Sequence, residues 1–427
     1  MAAVWCATAS GRNLIEEVPR SRWDARAQPA SVEPMASRVR HGGFVRGAER
    51  FDNRCFSISP AEAAAMDPQQ RLLLELGYAA LHGAGGDRAG LLGSGAGCFL
   101  GICNTDFAEL LRMSPAASSV YGGSGASLSI ASGRLSFALG LHGPCVSVDT
   151  ACSSALVACH GGRRALQLGE CTQAVGAGVL LMLLPTASAF LAVAGMTSAA
   201  GRCHTFDARA DGYARSEACS AMTLRAAAGV GEAAACDGGA VRQDGRSASL
   251  TAPNGQAQRA LLRAALDDAA APATLLACLE AHGTGTQLGD PVEAGALAAV
   301  LLSGGEACEA LVVSSVKANA GHSEPAAGGV GLLKLLESVV RSRATPNAQL
   351  RVPNGSVGAA VVGWSGRACV VPTQVTSLIG GAAVGGVSSF GASGTIAHMV
   401  VRGGCGKTTA AAVGVAFRRR AFWWLPT

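Results

Sequence analysis

One cysteine of this 427-residue chain lies where a strand pattern gives way to a helix pattern. A strand is predicted over 145–148 and a helix from Ser154, so Cys152 falls in the turn between them. The free N–H groups of a helix N-terminus favour negative charge, and thiolates placed there act as nucleophiles. Cys152 is therefore a candidate nucleophile, with a buried structural cysteine as the alternative. Cys145 and Cys159 lack such a turn and are expected in the core.

Two histidines, His282 and His322, follow predicted strands in glycine-rich loops. An imidazole can exchange a proton near neutral pH or polarise a carbonyl, and glycine lets the backbone approach a ligand closely. Histidines with a purely structural role are the alternative. Lys317 and Glu324 flank His322 closely enough to set its charge and orientation, or else form a solvated ion pair.

Short strand patterns alternate with helix patterns along the chain, which is typical of an α/β protein with buried sheets. The predicted strands are 98–102, 145–148, 275–279 and 311–316. Asp290 is expected to cap a helix that Pro291 and Glu293 begin, and another helix is predicted to start at Glu324. Ligands of open α/β sheets bind beyond the strand ends, so the candidate residues are expected to meet in one crevice. The Ala- and Gly-rich segment 226–244 is expected to link two halves.

The composition excludes several classes of protein. Charged residues make up 15% of the chain and the net charge is +5, which does not indicate nucleic-acid binding. The 15 cysteines form no Cys-x-x-Cys pair, so neither a zinc site nor a disulfide framework is predicted, and a reducing compartment fits. Pro185 and several glycines interrupt the uncharged stretch 171–201, which favours a buried strand and helix over a membrane span. No cleaved signal is expected.

Three motifs around the candidate residues resemble the active-site motifs of β-ketoacyl synthases. They are VDTACSS at 148–154, EAHGTGT at 280–286 and SVKANAGHSE at 315–324, and the gaps of 130 and 40 residues between Cys152, His282 and His322 also match. LGDP at 288–291 and FGASGT at 390–395 are similar to the type I polyketide synthase branch, of which the fatty acid synthase ketosynthase is a close relative. The resemblance covers residues from about 5 to 401. Within the family, the chain looks like the single-domain ketosynthases of protists.

The resemblance implies a thiolase fold, an α/β architecture of five αβαβα layers with two pseudo-duplicated halves, assembled as a homodimer. The N-terminal half would be residues 1–225, without the family's first strand, and the C-terminal half residues 226–402. Residues 403–427 would form a basic and aromatic tail, expected to pack on the body, with a docking element as the alternative. A cytoplasmic location is expected, with a plastid as the alternative.

The resemblance also implies a decarboxylative condensation in polyketide or fatty acid chain elongation. Cys152 would take an acyl group from the phosphopantetheine thioester of an acyl carrier protein, and His282 and His322 would bind the malonyl thioester carbonyl. Lys317 and Glu324 would organise His322, and the backbone N–H groups of Cys152 and Ala392 would hold the oxyanion. Supporting roles are implied for Glu324, Asp149, Thr284, Thr286 and Phe390. No metal or soluble cofactor is implied, and the partners are the carrier protein and its acyl and malonyl thioesters.

Several residues depart from the family pattern. Ile396 and Arg242 each stand where the family has asparagine, and 216–220 replaces a glycine-richer run. If the missing amide of residue 396 ties down a loop, its loss leaves a buried group unpaired, at about 1–3 kcal/mol. The missing first strand and Ile396 favour an alternative, a catalytically impaired partner that binds carrier protein or another synthase subunit. A non-decarboxylating thiolase is disfavoured because it would use a second cysteine where histidine stands here.

Overall fold

The computed structural model describes residues 2–24, 33, 35–114, 118–226, 234–303, 309–362, 367–378, 383–404 and 415–424. The helices in these ranges are α1 (Ala2–Ala9), α2 (Met35–Val39), α3 (Pro60–Ala64), α4 (Pro68–Gly83), α5 (Arg88–Leu91), α6 (Asp106–Arg112), α7 (Gly122–Ala126), α8 (Leu128–Leu139), α9 (Ser154–Gln167), α10 (Thr186–Val193), α11 (Gly255–Asp268), α12 (Gly289–Leu297), α13 (Lys317–Ala320), α14 (Ala327–Arg341) and α15 (Gly355–Val362). The strands are β1 (Glu16–Glu17), β2 (His41–Gly42), β3 (Arg50–Phe51), β4 (Ala96–Gly101), β5 (Cys145–Val148), β6 (Gln173–Leu180), β7 (Ala218–Arg225), β8 (Ala234–Gln243), β9 (Leu276–Glu280), β10 (Leu311–Ser314), β11 (Arg343–Ala344), β12 (Cys369–Val370), β13 (Thr376–Ser377), β14 (Val384–Phe390), β15 (Thr395–Gly403) and β16 (Arg420–Ala421).

Two sheets form the centre of the molecule. The first has the strand order β5-β4-β6-β7, in which β5 and β6 are parallel to β4 and β7 is antiparallel to β6. The second has the order β12-β10-β9-β14-β15-β8, with β15 antiparallel to both of its neighbours. Strands β4, β9 and β10 are buried along their whole length, as expected for parallel strands covered on both faces.

Helices cover both faces of each sheet. α4 and α8 pack on the outer face of the first sheet, and α11 packs on the outer face of the second. α9 and α14 lie between the sheets and contact each other, which completes five αβαβα layers. A Cβ on Gly328 of α14 would lie 2.9 Å from the Cβ of Leu156 on α9, so glycine is required for this close approach.

The uncharged stretch 171–201 contains β6 and α10, the strand and helix that the sequence predicted; most of β6 is buried, whereas only Ser188 and Ala192 of α10 are. Among the helices of the described residues, none is long and apolar enough to span a membrane. The end of the tail packs on the body: β16 pairs with β3, and both Phe422 and Trp424 are buried. Residues 415–424 therefore pack on the body, as expected from the sequence.

Three local predictions are wrong. Asp290 does not cap a helix, because α12 already begins at Gly289 and the carboxylate of Asp290 accepts hydrogen bonds from the N–H groups of Phe206 and Gly285. The segment 226–244 is not simply a linker, because β8 forms an edge of the second sheet; residues 227–233 lie outside the described ranges. Cys145 is exposed instead of buried, since β5 is an edge strand. Cys159 is buried as predicted.

Candidate active site

The turn that carries Cys152 is held by hydrogen bonds from nearby side chains. Ala151 has a φ of 52°, a left-handed conformation that is rare for a residue with a side chain and costs roughly 1–3 kcal/mol. Asp149 Oδ1 accepts the N–H of Ala151 at 2.9 Å, and Ser154 Oγ accepts the N–H of Thr150 at 2.8 Å. The strained turn therefore projects Cys152 from the end of β5, just before α9, as the sequence predicted.

The sulfur of Cys152 lies against two backbone N–H groups, its own and that of Ala392. The predicted oxyanion donors are thus brought together around the same sulfur. Ser389 Oγ donates to the carbonyl of Cys152 at 2.7 Å and ties the turn to β14. This arrangement can stabilise negative charge on an oxygen bound at the carbon that the sulfur attacks.

The pKa of Cys152 contradicts the expectation of an acidified thiol. Burial is the largest influence and raises the pKa to about 12, and the nearby charge of Glu324 raises it further. Lys317 and the two backbone N–H groups lower the pKa, but they do not offset burial. Position before a helix is therefore insufficient to generate a thiolate in the free protein.

This raised pKa predicts a steep pH dependence. Because the thiolate is the nucleophile, alkylation of Cys152 by iodoacetamide should accelerate about tenfold per pH unit between about pH 7 and pH 9. Peptide mass spectrometry on timed samples gives the rate at Cys152 alone, with the exposed Cys6 as the internal reference. A rate at Cys152 that levels off below about pH 8 would contradict the raised pKa.

His282 and His322 face each other, with ring centroids 5.5 Å apart and an interplanar angle of 86°. Nδ1 of His282 accepts the backbone N–H of Phe390 at 3.3 Å, and Nδ1 of His322 accepts that of Glu324 at 3.2 Å. A backbone N–H can only donate, so each neutral ring carries its proton on Nε2. The two histidines therefore offer two Nε2–H donors, and the buried Nε2 of His322 has no other partner among the described residues.

Both imidazoles are kept neutral. Burial is the first cause that holds the pKa of His282 and of His322 well below the usual value, and the positive charge of Lys317 is the second. The pair is thus suited to polarise a carbonyl through hydrogen bonds, without a proton transfer at neutral pH.

Lys317 and Glu324 act on His322 by different routes from those expected. Glu324 forms an ion pair with Arg215, with Oε1 and Nε 2.6 Å apart, and contacts His322 through its backbone N–H instead of its carboxylate. Lys317 is buried on α13, and burial lowers its pKa. Its influence on the two histidines is therefore electrostatic. Arg215 was missed by the sequence analysis, since nothing in the motif links it to Glu324.

Glu293, which the sequence analysis placed at the start of a helix, has a buried carboxylate that positions the loop carrying His282. Glu293 accepts the N–H groups of His282 and Gly283, both at 2.8 Å. Burial raises the pKa of Glu293 to about 7. The only sequence signal for this role was the proximity of Glu293 to the glycine-rich loop.

A second buried network joins the strand ends that carry the two histidines. The carboxylate of Glu280, at the end of β9, accepts hydrogen bonds from the backbone N–H of Val316 and from Lys334 Nζ. Lys334 and Glu280 form a fully buried ion pair at 2.7 Å. The contacts of Glu280 with Val316 and Lys334 therefore fix the spacing of the loops that follow β9 and β10.

Substituting Lys334→Met should lower the free energy of unfolding by about 3–5 kcal/mol, because Glu280 would be left as an unpaired buried charge. Guanidinium denaturation followed by circular dichroism measures the loss. Arg343→Met is the control directly after the same helix, since Arg343 on β11 is exposed, and it should cost less than about 1 kcal/mol. Equal losses in the two variants would contradict the account of this network.

Most of the candidate residues line one cavity of about 150 Å³, which we call the active-site cavity. Its walls include Cys152, His282, His322, Phe390, Ala392, Thr284 and Thr286. The hydroxyls of Thr284 and Thr286 are 3.1 Å apart and hydrogen-bond each other. Asp149, Lys317 and Glu324 do not line the cavity but support its wall. Within the described ranges, no group of three or more His, Cys, Asp or Glu side chains could hold a metal ion.

The unusual Ile396 is fully buried in the apolar core of the second sheet, opposite Arg242 on β8. Two residues beyond Arg242, the buried Oδ1 of Asp244 has no hydrogen-bond partner among the described residues. Burial raises the pKa of Asp244 to about 6. An unpaired buried group of the kind expected from the loss of asparagine therefore lies near this departure.

Family models match most of the chain. One described as the N-terminal domain of β-ketoacyl synthase matches residues 2–228, and one described as the C-terminal domain matches residues 233–351. A phenolphthiocerol/phthiocerol polyketide synthase of Mycobacterium tuberculosis is 40% identical over 409 residues, which is 94% of this chain and 26% of the relative. Polyketide synthase GfsB of Streptomyces halstedii is 39% identical over 93% of this chain and 7% of the relative. The chain thus spans about a quarter or less of these relatives.

Solved structures agree with the sequence matches. The oxazolomycin ketosynthase domain of Streptomyces albus JA3453 superposes with a TM-score of 0.87 at 30% identity, over 96% of this chain and 73% of that chain. The ketosynthase from module 6 of the bacillaene synthase of Bacillus subtilis 168 gives a TM-score of 0.82 at 30% identity, over 93% of this chain and 68% of that chain. The α/β thiolase fold predicted from the sequence is confirmed.

Proposed function

The chain belongs to the β-ketoacyl synthase family of acyl-transferring condensing enzymes, and from this membership we propose that it catalyses decarboxylative Claisen condensation during polyketide chain elongation. The observation that carries the proposal is the shared cavity of Cys152, His282 and His322, with two Nε2–H donors and two backbone N–H donors around it. Fatty acid elongation uses the same chemistry and remains the close alternative for the pathway.

The first half-reaction loads Cys152. Its sulfur attacks the carbonyl carbon of an acyl thioester, the carrier's C–S bond breaks, and the thiol proton passes to the departing carrier thiolate. The backbone N–H groups of Cys152 and Ala392 hold the oxyanion, typically for about 3–4 kcal/mol per donor. The product is an acyl group bound to Cys152 through a new thioester.

The second half-reaction extends the chain. The carbonyl oxygen of a malonyl thioester accepts hydrogen bonds from Nε2 of His282 and His322, and the C–C bond to its carboxylate breaks with release of carbon dioxide. The electron pair left behind forms an enolate, which attacks the acyl carbon on Cys152. The C–S bond to Cys152 then breaks and the thiolate takes up a proton. Lys317 stabilises the developing charge from outside the cavity.

The remaining residues have positioning roles. Phe390 orients His282 through its backbone N–H, and Thr284 and Thr286 offer hydroxyls to the pantetheine part of the thioester. Asp149 holds the Cys152 turn, and Glu324 orients His322. The substrates reach the site as phosphopantetheine thioesters on acyl carrier protein, no further cofactor takes part, and the enzyme acts as a homodimer.

A catalytically impaired, carrier-binding partner is the second candidate. The observation in its favour is Ile396 in place of the family's asparagine, together with the unpaired Oδ1 of Asp244. The intact catalytic set of Cys152, His282, His322 and Lys317 supports the enzyme instead.

Intact-mass spectrometry tests the proposal. The purified protein is incubated with a hexanoyl-pantetheine thioester and then with malonyl carrier protein. We expect a gain of one acyl group on the peptide that contains Cys152, and carbon dioxide release on adding the malonyl donor. Soluble, folded protein that gains no acyl group and releases no carbon dioxide would support the impaired partner.

A further inference from the structure

The end of the tail and the strand it pairs with present arginine side chains at the surface. Strand β16 is antiparallel to β3, so Arg420 lies diagonally across from Arg50. The backbone N–H of Arg418 donates to the carboxylate of Asp52 at 2.7 Å, which holds the turn that carries Arg54 against the tail. All four arginines are exposed, and we call the surface they form the basic face.

Few negative charges offset the basic face. Among the described residues, Glu49 has the only carboxylate within 4.0 Å of these four guanidinium groups; it lies beside Arg50, and 17% of its side chain is exposed. The carboxylates of Asp52 and Glu75 are buried and already bound, the first by backbone N–H groups and the second by Arg419. The basic face therefore keeps a net positive charge toward the solvent.

A large aromatic side chain stands beside the basic face. Trp423 is 51% exposed, although the residues on either side of it, Phe422 and Trp424, are buried. Both neighbours are anchored: Arg71 donates to the carbonyl of Phe422 at 2.7 Å, and the guanidinium of Arg22 lies 5.1 Å from the ring centroid of Trp424. The packing of its neighbours thus holds the indole of Trp423 outward.

An exposed indole beside unpaired guanidinium groups fits the surface of an anionic bilayer. Tryptophan prefers the headgroup level of a membrane, because its ring is apolar and its N–H is polar. Each arginine near an anionic leaflet strengthens binding about fivefold, since the negative surface potential attracts it. Acidic side chains of a protein would pair with the arginines alone, whereas a lipid interface also takes up the ring of Trp423.

We propose that the basic face and Trp423 bind the surface of an anionic membrane, with the guanidinium groups on lipid phosphates and the indole among the headgroups. The contact is peripheral, because β3 and β16 stay paired and packed on the body. It uses none of the residues that line the active-site cavity, so it is independent of the proposed function.

Co-sedimentation of the full chain with vesicles tests the proposal. The protein should bind vesicles of mixed phosphatidylglycerol and phosphatidylcholine at least about tenfold more tightly than vesicles of phosphatidylcholine alone. Arg418→Gln/Arg420→Gln should weaken binding to the anionic vesicles about 25-fold. Arg263→Gln/Arg343→Gln is the matched control: it removes the same charge from exposed positions on α11 and β11, and it should bind like the unaltered protein.

Equal binding by the two double variants, with circular dichroism spectra like that of the unaltered protein, would overturn the basic face as the contact. Sodium chloride and sodium phosphate at equal ionic strength should weaken binding equally, because the charges are screened. Selective competition by phosphate would instead indicate a site for free phosphate and overturn the lipid as its source.

Tryptophan fluorescence tests the role of Trp423. Anionic vesicles should shift the emission of the unaltered protein to the blue, because the indole leaves water, and Trp423→Phe should show no shift. A shift of the same size in Trp423→Phe would overturn insertion of this residue. Binding to polyglutamate without binding to anionic vesicles would overturn the membrane as the partner and indicate an acidic protein.

Discussion

Replacing Cys152 with alanine should reduce formation of the β-ketoacyl product by at least about 10⁴-fold, because no other cysteine among the described residues lines the cavity to carry the acyl chain. Decarboxylation of the malonyl donor should persist, since the Nε2–H groups of His282 and His322 do not depend on the sulfur. Chromatography of the thioester product and trapping of carbon dioxide measure the two activities separately. The expected result is therefore carbon dioxide without condensation.

Cys103→Ala is the matched control for this variant. Cys103 lies near enough for the charge of Cys152 to raise its pKa, but it does not line the active-site cavity. The control should retain acyl loading and condensation. If Cys152→Ala gained one acyl group as readily as the unaltered protein, another residue would be the nucleophile and the assignment would be wrong.

The second large effect is expected for His322→Ala. The substitution removes one of the two Nε2–H donors that hold the malonyl carbonyl, and loss of one such donor typically reduces the rate by about 10²–10³-fold. Acyl loading of Cys152 should continue, because that step uses the backbone N–H groups instead. Single-turnover assays of acylation and of carbon dioxide release distinguish the two steps.

His322→Gln separates a lost hydrogen bond from a damaged fold. The glutamine amide reaches about as far as the imidazole and restores a donor, so decarboxylation should recover in part. Both variants should show the circular dichroism spectrum of the unaltered protein. Decarboxylation at the original rate in folded His322→Ala would contradict the role of this histidine.

The order of elements in the site was predictable because it depends on local patterns. The strands predicted from apolar runs end within two residues of the observed strand ends at Val148, Glu280 and Ser314. The polar and glycine-rich loops that follow these strands carry Cys152, His282 and Lys317. Strand ends gather at one crevice in α/β proteins, so a shared site followed from these runs. The motif at 315–324 also indicated, correctly, that Glu324 contacts His322.

What the sequence could not predict depends on contacts between distant segments. The ion pair of Glu324 with Arg215 joins residues 109 positions apart, and no periodic pattern reveals such a pair. The protonation of the two histidines follows from single backbone N–H groups of Phe390 and Glu324, which only coordinates can identify. The predicted lowering of the Cys152 pKa was wrong for a related reason. The position of a residue before a helix can be predicted from the sequence, whereas the extent of its burial cannot.

Asp290 shows the same limit in a single residue. Asp followed by Pro and then Glu is a strong signal for a helix start, but here the fold uses both carboxylates to bind backbone N–H groups of neighbouring loops. Helix α12 begins without a side-chain cap, and the loops around His282 are fixed instead. Tertiary contacts thus took precedence over the local preference at a functional site.

The most direct test of the central claim is a single turnover of the acylated protein. Protein loaded with one hexanoyl group on Cys152 is freed of excess donor and mixed with malonyl carrier protein, and the protein mass, the carrier mass and carbon dioxide are measured in the same sample. A condensing enzyme should return to its unmodified mass while releasing one carbon dioxide per β-ketoacyl carrier formed. Protein that remains acylated, with an unchanged malonyl carrier, would contradict the condensing activity proposed here.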